Sequence, residues 1–476
     1  MGIRWVRRSC SIACLLVVSL AHPADAAGAE LNLTEAVRQT LDANLDLAAQ
    51  RQALAADREQ VSIARSALLP QVNLGARAQH LDDDRSDAAR GNTSQNSATV
   101  AAGVTQVLYD ENAWAGFDVQ KHVYDSQRSQ FETLRLSVIQ DAANAFLQLD
   151  SAREVLSIQE GNRELTRKNL ETSRARVAAG YSGERDVLRW QSQLAGNDGA
   201  VVQARTLVLV NRFELNRVRN QAPEVAVEAA PVQVEEHGFV YARDLIARAL
   251  ANPGDDRRLR DLMVREGLSR SPVLTQIDAS IVAQERQLQA SRRAFWVPSA
   301  SLGAGINHMV TDQSDGGSSE SFNDTEWTVG AELSFPLVQG GAKLARFRQA
   351  RETLSSLRIQ RRSQAMSIEE SIRAAFAQAS GSHASLGFAR QGESSAQRNF
   401  ELVNDSYVAG VASIVDLLDA QNQLLDAQLA VSNALYGFFT DLIAAEQAMA
   451  FYPFLEPEPE VKELLDRLER EFPGRP

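Results

Sequence analysis

Apolar residues recur at Val37, Leu41, Leu45, Ala48 and Ala55, an imperfect helical spacing that predicts a helix over 33–69 with Thr34 as its N-cap. Pro70 ends it, since proline has no N–H to donate and its ring obstructs the preceding turn. The period then changes to two. Val72, Leu74, Ala76 and Ala78 alternate with Gln71, Asn73, Gly75, Arg77 and Gln79, which predicts a strand over 71–80 with one apolar face. Asp82 to Asn96 is polar and reads as a loop, with an exposed acidic run at Asp82–Asp84. Ala98, Val100, Ala102 and Val104 alternate with Thr99, Ala101, Gly103 and Thr105, a second strand over 97–107 that closes an antiparallel hairpin.

The pattern next predicts a helix over 112–179, which would reach on the order of 100 Å at 1.5 Å per residue. A turn at Gly180 and Gly183 leads to a return helix over 184–221, where Leu194, Val201 and Val208 have coiled-coil spacing. Gly161, Gly196 and Gly199 predict bends or close helix contacts in these two segments. Residues 222–271 break the pattern. Pro223, Pro231 and Pro253 lie among acidic and β-branched residues, so this region reads as a linker with a short helix at Tyr241–Ala251 and a charge cluster at Asp255–Arg260.

The order then begins again. A helix over 272–297 ends at Phe295-Trp-Val-Pro298, answering Ala67-Leu-Leu-Pro70. Strands over 299–309 and 325–335 flank a polar loop at Thr311–Asn323. Pro336 and Gly340-Gly341 lead into a long helix over 341–409 and a return helix over 413–450. The tail from 451 to 476 is acidic and Pro-rich, with one short helix at Val461–Arg470. At one constant offset Gly180 meets Gly410, Asp186 meets Asp416, Leu188 meets Leu418 and Leu194 meets Leu424. Two tandem copies of one large unit account for this better than a short-repeat solenoid.

Composition narrows the function. The formal charge of -12 opposes a nucleic-acid partner, which needs a basic face. Residues 1–26 read as a signal peptide: Arg4, Arg7 and Arg8, an apolar run from Ile12 to Leu20, and Ala24-Asp-Ala26 as the cleavage site. Cys10 and Cys14 lie within it, so the exported chain is expected to have no disulfide, thiolate metal site or thiol nucleophile. His80, His122, His237, His308 and His383 are scattered without metal-ligand spacing. No P-loop, dinucleotide fingerprint or nucleophile elbow occurs. We expect no catalytic site, no metal and no cofactor, so any ATP-driven work falls to a partner.

Strands of about ten residues match a tilted crossing of a bilayer. One face of all four is apolar, while the other carries Asn73, Arg77, Thr99, Thr105, Ser301, Asn307 and Glu332. A soluble sheet with one solvated face has the same pattern; the leader and the attached rods favour the membrane. Four strands cannot close a barrel, and an open edge in lipid leaves backbone groups unpaired. Two chains would give eight strands and three would give twelve; the residues alone leave the number open.

The duplicated strand–helix units, Leu333-Ser-Phe-Pro-Leu-Val-Gln-Gly-Gly341, and above all Tyr407-Val-Ala-Gly410 followed by Ile414-Val-Asp-Leu-Leu-Asp-Ala420 resemble the TolC-type outer-membrane efflux channel family. The resemblance implies an α+β membrane protein. Its homotrimer would build a twelve-stranded barrel in outer-membrane lipid, continuing into a periplasmic α-helical barrel. It would serve as exit duct for an efflux pump or type I secretion system, with a periplasmic adaptor and an inner-membrane transporter as partners. Asp416 and Asp419 match the carboxylates of that family's periplasmic constriction, and three residues apart they share a helix face. On the residues alone they read rather as solvated or capping charges of a first helical turn, where acidic residues are common. Tyr407 and Asp186 match tip-closing positions. Ala412 stands where the best-known member of that family has a basic residue, which leaves either Arg185 as its replacement or a looser closure. Gly180, Gly183 and Gly410 are implied as tip turns that meet the adaptor. Tyr109, Phe295, Trp296 and Trp327, at strand ends, fit a membrane-interface belt or ordinary packing. Val107 stands where the second copy has Pro336, so the sheet-to-helix bends are expected to differ. The rival reading is a soluble periplasmic coiled-coil adaptor or scaffold.

Overall fold

The computed structural model describes residues 31–82, 96–232, 253–313 and 324–471. The expected leader, most of both polar loops, the Tyr241–Ala251 helix and His237 lie outside the described residues.

The first predicted helix is in fact two, α1 (Leu33–Ala43) and α2 (Leu45–Ser66). Asn44 separates them: its backbone is extended, and its side chain accepts from the N–H groups of Asp46 and Leu47, starting α2 while ending α1. Short amide side chains compete with the helix ladder in this way, which makes asparagine a cap. The cap of α1 is likewise Asn32, whose Oδ1 accepts from Glu35 N at 2.8 Å, and not Thr34.

Four strands, β1 (Gln71–His80), β2 (Asn96–Tyr109), β3 (Ser299–Gln313) and β4 (Thr325–Ser334), form one antiparallel sheet in the order β1-β2-β3-β4. Cross-strand register lines the alternation up into rows. Val72, Val104, Ala304 and Val329 are successive partners, as are Leu74, Ala102, Ile306 and Trp327. The apolar face is therefore continuous across the sheet, and it is uncovered: Leu74 is 80% exposed, Trp327 72% and Val329 71%.

Long helices leave the sheet directly. α3 (Glu111–Ala178, 68 residues) and α7 (Ala342–Val408, 67 residues) each extend about 100 Å. α4 (Glu184–Val218) and α8 (Ile414–Ala448) return along them, and α6 (Pro272–Arg293) packs beside α3 and α7. The bends do differ. β2 passes into α3 through Asp110 alone, which caps the helix, whereas β4 reaches α7 through Pro336 and the left-handed Gly340 and Gly341. The α3 entry is clamped by ions: Arg286 of α6 bonds Glu111 at 2.6 Å and Asp118 at 3.0 Å, and Arg293 bonds Glu111 at 3.2 Å. Burial alone would raise the Glu111 carboxyl; the bonds from Tyr109, Arg286 and Arg293 outweigh it and hold the group below the usual range.

Two expectations need correction. The supposed charge cluster at Asp255–Arg260 belongs to an 18-residue helix, α5 (Pro253–Arg270). Its Leu259, Leu262, Met263 and Val264 are buried with Ile372 and Phe376 of α7 and with Leu464 of the C-terminal helix α9 (Glu458–Glu471). Arginines on its outer side hid this stripe. The close contacts expected at Gly161, Gly196 and Gly199 are not made: α3 and α4 run through them unbroken, and no neighbouring atom comes within 4 Å of where a Cβ would stand.

The main core lies midway along the rods, where Ile139, Phe146 and Leu149 of α3 meet Phe438, Phe439 and Leu442 of α8 under Leu33 and Val37 of α1. Among the described helices none is long and apolar enough to cross a membrane.

Candidate functional site at the helix tips

α3 and α7 end in the same device. Ala179 and Ala409 are followed by Gly180 (φ +78°) and Gly410 (φ +80°), left-handed conformations that side chains resist. Tyr181 N bonds Arg176 O at 2.9 Å and Gly180 N bonds Val177 O at 3.0 Å; Val411 N to Ser406 O and Gly410 N to Tyr407 O repeat the pair. These are Schellman caps, which satisfy carbonyls that a helix end leaves free.

The return helices start differently. Ser413 caps α8: its Oγ accepts from Asp416 N at 3.3 Å, while Asp416 Oδ2 accepts from Ser413 N at 2.9 Å and Ser413 Oγ at 2.7 Å. This reciprocal capping box pins the Asp416 side chain. The hydrogen bonds from Ser413 hold its carboxyl below the usual carboxylate range. In the first copy Gly183 occupies the cap and offers no side chain, so Asp186 has no box to join. Asp419 lies one turn beyond Asp416, exposed, and accepts from Gln423 Nε2 at 2.7 Å. The tip thus presents two exposed carboxylates on one face of α8, one of them fixed in place.

Behind them is an apolar plug of Leu170, Trp190, Phe400, Tyr407, Ile414, Leu417, Ala420 and Leu424, drawn from all four tip helices. Further from the tip a buried polar layer ties the hairpins. Gln421 Nε2 donates to Asn162 Oδ1 at 2.7 Å and Thr166 Oγ1 at 2.6 Å, Asn169 Nδ2 donates to Gln421 Oε1 at 2.9 Å, and Asn197 Nδ2 donates to Thr166 Oγ1 at 2.8 Å. Such a layer fixes helix register, because sliding would strand its buried groups unpaired.

Tyr407 is buried, and its hydroxyl meets no protein group; it does not reach Asp186. Among the described residues neither Asp186 nor the exposed Arg185 makes a side-chain bond within the chain. The contact made instead involves Arg176, which sequence reasoning missed. Its Nη1 donates to the carbonyls of Tyr407 at 2.8 Å and Val408 at 3.2 Å, and its guanidinium lies 4.9 Å from the Tyr407 ring centre. Tyr109, expected at a lipid interface, donates to Glu111 at 2.6 Å; Phe295 packs edge-on to Phe347, while Trp296 and Trp327 are exposed. Among the described residues no group of three His, Cys, Asp or Glu side chains is placed to hold a metal.

The profile of the family described as "Outer membrane efflux protein" matches residues 36–220 and again 263–450. The chain belongs to this family. The outer membrane protein TolC of Salmonella enteritidis is 26% identical over 401 residues, covering 83% of this chain and 78% of that protein. The alkaline protease secretion protein AprF of Pseudomonas aeruginosa is 24% identical over 396 residues, covering 81% and 77%. The crystal structure of the outer membrane protein VceC of Vibrio cholerae superposes with a TM-score of 0.70 at 15% identity, covering 89% of this chain and 97% of that one. This efflux family protein therefore shares its fold with outer-membrane channels, and its tips are where the fold narrows the question of function.

Proposed function

We propose that this protein is the outer-membrane exit duct of a tripartite efflux pump or a type I secretion system. Three copies each contribute four strands to a twelve-stranded barrel, and their long helices continue it as a periplasmic tunnel. A periplasmic adaptor and an inner-membrane transporter deliver the cargo; the duct itself performs no reaction. The observation that carries this reading is the uncovered apolar face running across all four strands of a sheet joined directly to rods of about 100 Å. Strands β1 and β4 each have one edge unpaired in the chain. In lipid each unpaired backbone group costs several kcal/mol, so neighbouring copies must close the ring.

Asp416 and Asp419 then form two stacked carboxylate rings at the periplasmic mouth, and Gly180, Gly183 and Gly410 place the tip turns that the adaptor meets. A narrow ring of ionised carboxylates attracts cations and repels anions. The Ser413 box supports this role, since it favours the ionised form of Asp416 and fixes its direction. The reading extends to export through residues 1–26 and to Phe295, Trp296 and Trp327 at the lipid interface.

The test is a salt-gradient recording in planar bilayers. The wild type should conduct with a cation-selective reversal potential. Replacing both Asp416 and Asp419 by Ala should move that potential toward zero and weaken block by divalent cations. Unchanged selectivity removes the two carboxylates from the gate. A wild type that stays in aqueous solution without detergent and never conducts would return the question to a soluble adaptor.

A further inference from the structure

At the tip the two hairpins of one chain meet, and the arrangement of charge there is unequal. α3 carries a basic residue in its last turn, Arg176, whereas α7 carries none. The repeat offset puts Ser406 opposite Arg176, so the second copy has lost or never had its own. The carbonyls that end α7 concentrate the negative end of its helix dipole; Tyr407 O already accepts from Gly410 N in the glycine cap, and it and Val408 O have room for a further donor. Arg176 supplies it from the other hairpin. Nη1 bonds both Tyr407 O and Val408 O, the guanidinium stacks over the Tyr407 ring, and Nη2 would lie 3.8 Å from a Cβ at Gly410. Planar, always charged and able to bond and stack together, arginine suits this position better than lysine.

The contact's position matters as much as its chemistry. Among the described residues the next polar ties between the hairpins are at Gln421, with Asn162, Thr166 and Asn169, and at Gln193, whose Nε2 donates to Asn422 Oδ1 at 3.3 Å. Asn169 stands two helical turns, about 10 Å, above Arg176. Between the two layers lies the apolar plug around Leu170, Trp190, Tyr407 and Leu417. Tipward of that layer, among the described residues, Arg176 makes the polar bond between the hairpins that fixes the end of α7 and, through the Gly410 turn, the start of α8 with Asp416 and Asp419. It also brings a positive charge to the tip, where Ala412 is neutral and, among the described residues, Arg185 makes no side-chain bond.

We propose that Arg176 is the latch of the tip: it holds the carboxylate-bearing hairpin α7–α8 against α3–α4, and opening requires that this contact break. The inference rests on the duct reading above, and it assigns Arg176 as a positioning residue that sets the aperture without lining it.

The full-length protein in planar bilayers tests it. Arg176→Ala should raise single-channel conductance several-fold, with the cation-selective reversal potential retained because Asp416 and Asp419 remain. Arg176→Lys, which keeps charge but not the planar fork, should fall between the two. Opposite evidence comes from closing the tip. The chain's two cysteines, Cys10 and Cys14, both lie in the expected leader, so Arg176→Cys with Val408→Cys can be bridged selectively by a short bifunctional thiol reagent. The bridged protein should conduct less than wild type, and reductive release, which leaves the tip without Arg176, should raise conductance above wild type. Wild-type conductance in Arg176→Ala overturns the latch while leaving the duct intact, as does a bridged tip that conducts normally. Should Arg176→Ala fail to assemble, the bridged pair decides. A wild type without conductance would instead overturn the duct reading.

Discussion

Glu446 of α8 is 2% exposed, and neither carboxylate oxygen has a hydrogen-bond partner among the described residues. Burial pushes its carboxyl well above the ordinary value of 4.5. Below that value both the folded and unfolded chains hold the proton, and the site is neutral to stability. As pH rises past it, the unfolded chain releases the proton first while the folded chain keeps it. Stability is therefore lost with rising pH, by up to about 1.4 kcal/mol per unit until the folded group also ionises. Glu446→Gln removes that slope. We expect the variant and wild type to unfold alike at pH 4 and the variant to be the more heat-resistant as pH rises above that; parallel curves would contradict this. Residue-scale chemistry was unevenly legible in the sequence. Asp416 and Asp419 drew notice through the resemblance of the whole Tyr407–Ala420 motif to one family, since two acidic residues in a first helical turn are ordinary by themselves. Arg176 did not, because its acceptors are backbone carbonyls of a helix distant in the chain, and carbonyls carry no residue type.

The two tip turns amount to a comparison the chain makes with itself. Both long helices end in the same glycine cap, yet α8 begins with Ser413 and a capping box while α4 begins with Gly183, φ -93° and ψ 160°, with no side-chain bond. No atom lies within 4 Å of a Cβ built on Gly183, and Asp186 already stands three residues on. Gly183→Ser should therefore complete a second box and stabilise the start of α4 by a few tenths of a kcal/mol. Ser413→Ala should cost about 1 kcal/mol and fray the first turn of α8. Hydrogen exchange at the amides of Asp186 and Asp416 reads both changes locally: slower in the first variant, faster in the second. Exchange that is indifferent to either would mean that packing alone sets the helix starts. Elements were legible where period and punctuation agreed, as in the four strands and the proline-free rods. They were missed where they conflicted. Asn44 interrupts an apolar spacing that continues past it, and Leu259, Leu262 and Met263 keep helical spacing beneath arginines that made α5 look like a solvated linker.

At the scale of the whole molecule, what remains is which face of the sheet meets lipid. Val329 and Thr328 are neighbours in the middle of β4 and point to opposite faces: Val329 pairs Ala304 in the apolar row, and Thr328 pairs Gly305 in the polar one. Both are exposed in a single chain, so a soluble sheet would have little reason to distinguish charges placed at the two positions. A barrel must. A lysine or arginine facing lipid near the midplane costs about 2–4 kcal/mol. In a trimer Val329→Arg incurs that cost three times, whereas Thr328→Arg faces water in the lumen. We expect Val329→Arg to deplete assembled trimer from outer-membrane fractions. Thr328→Arg should assemble normally, extract only in detergent with the mass of three chains, and reduce cation preference in bilayer recordings. If both variants assemble equally well, the apolar face does not contact lipid. If the depletion falls on Thr328→Arg instead, the sheet is inside out relative to this account, and the tunnel built upon it goes with it.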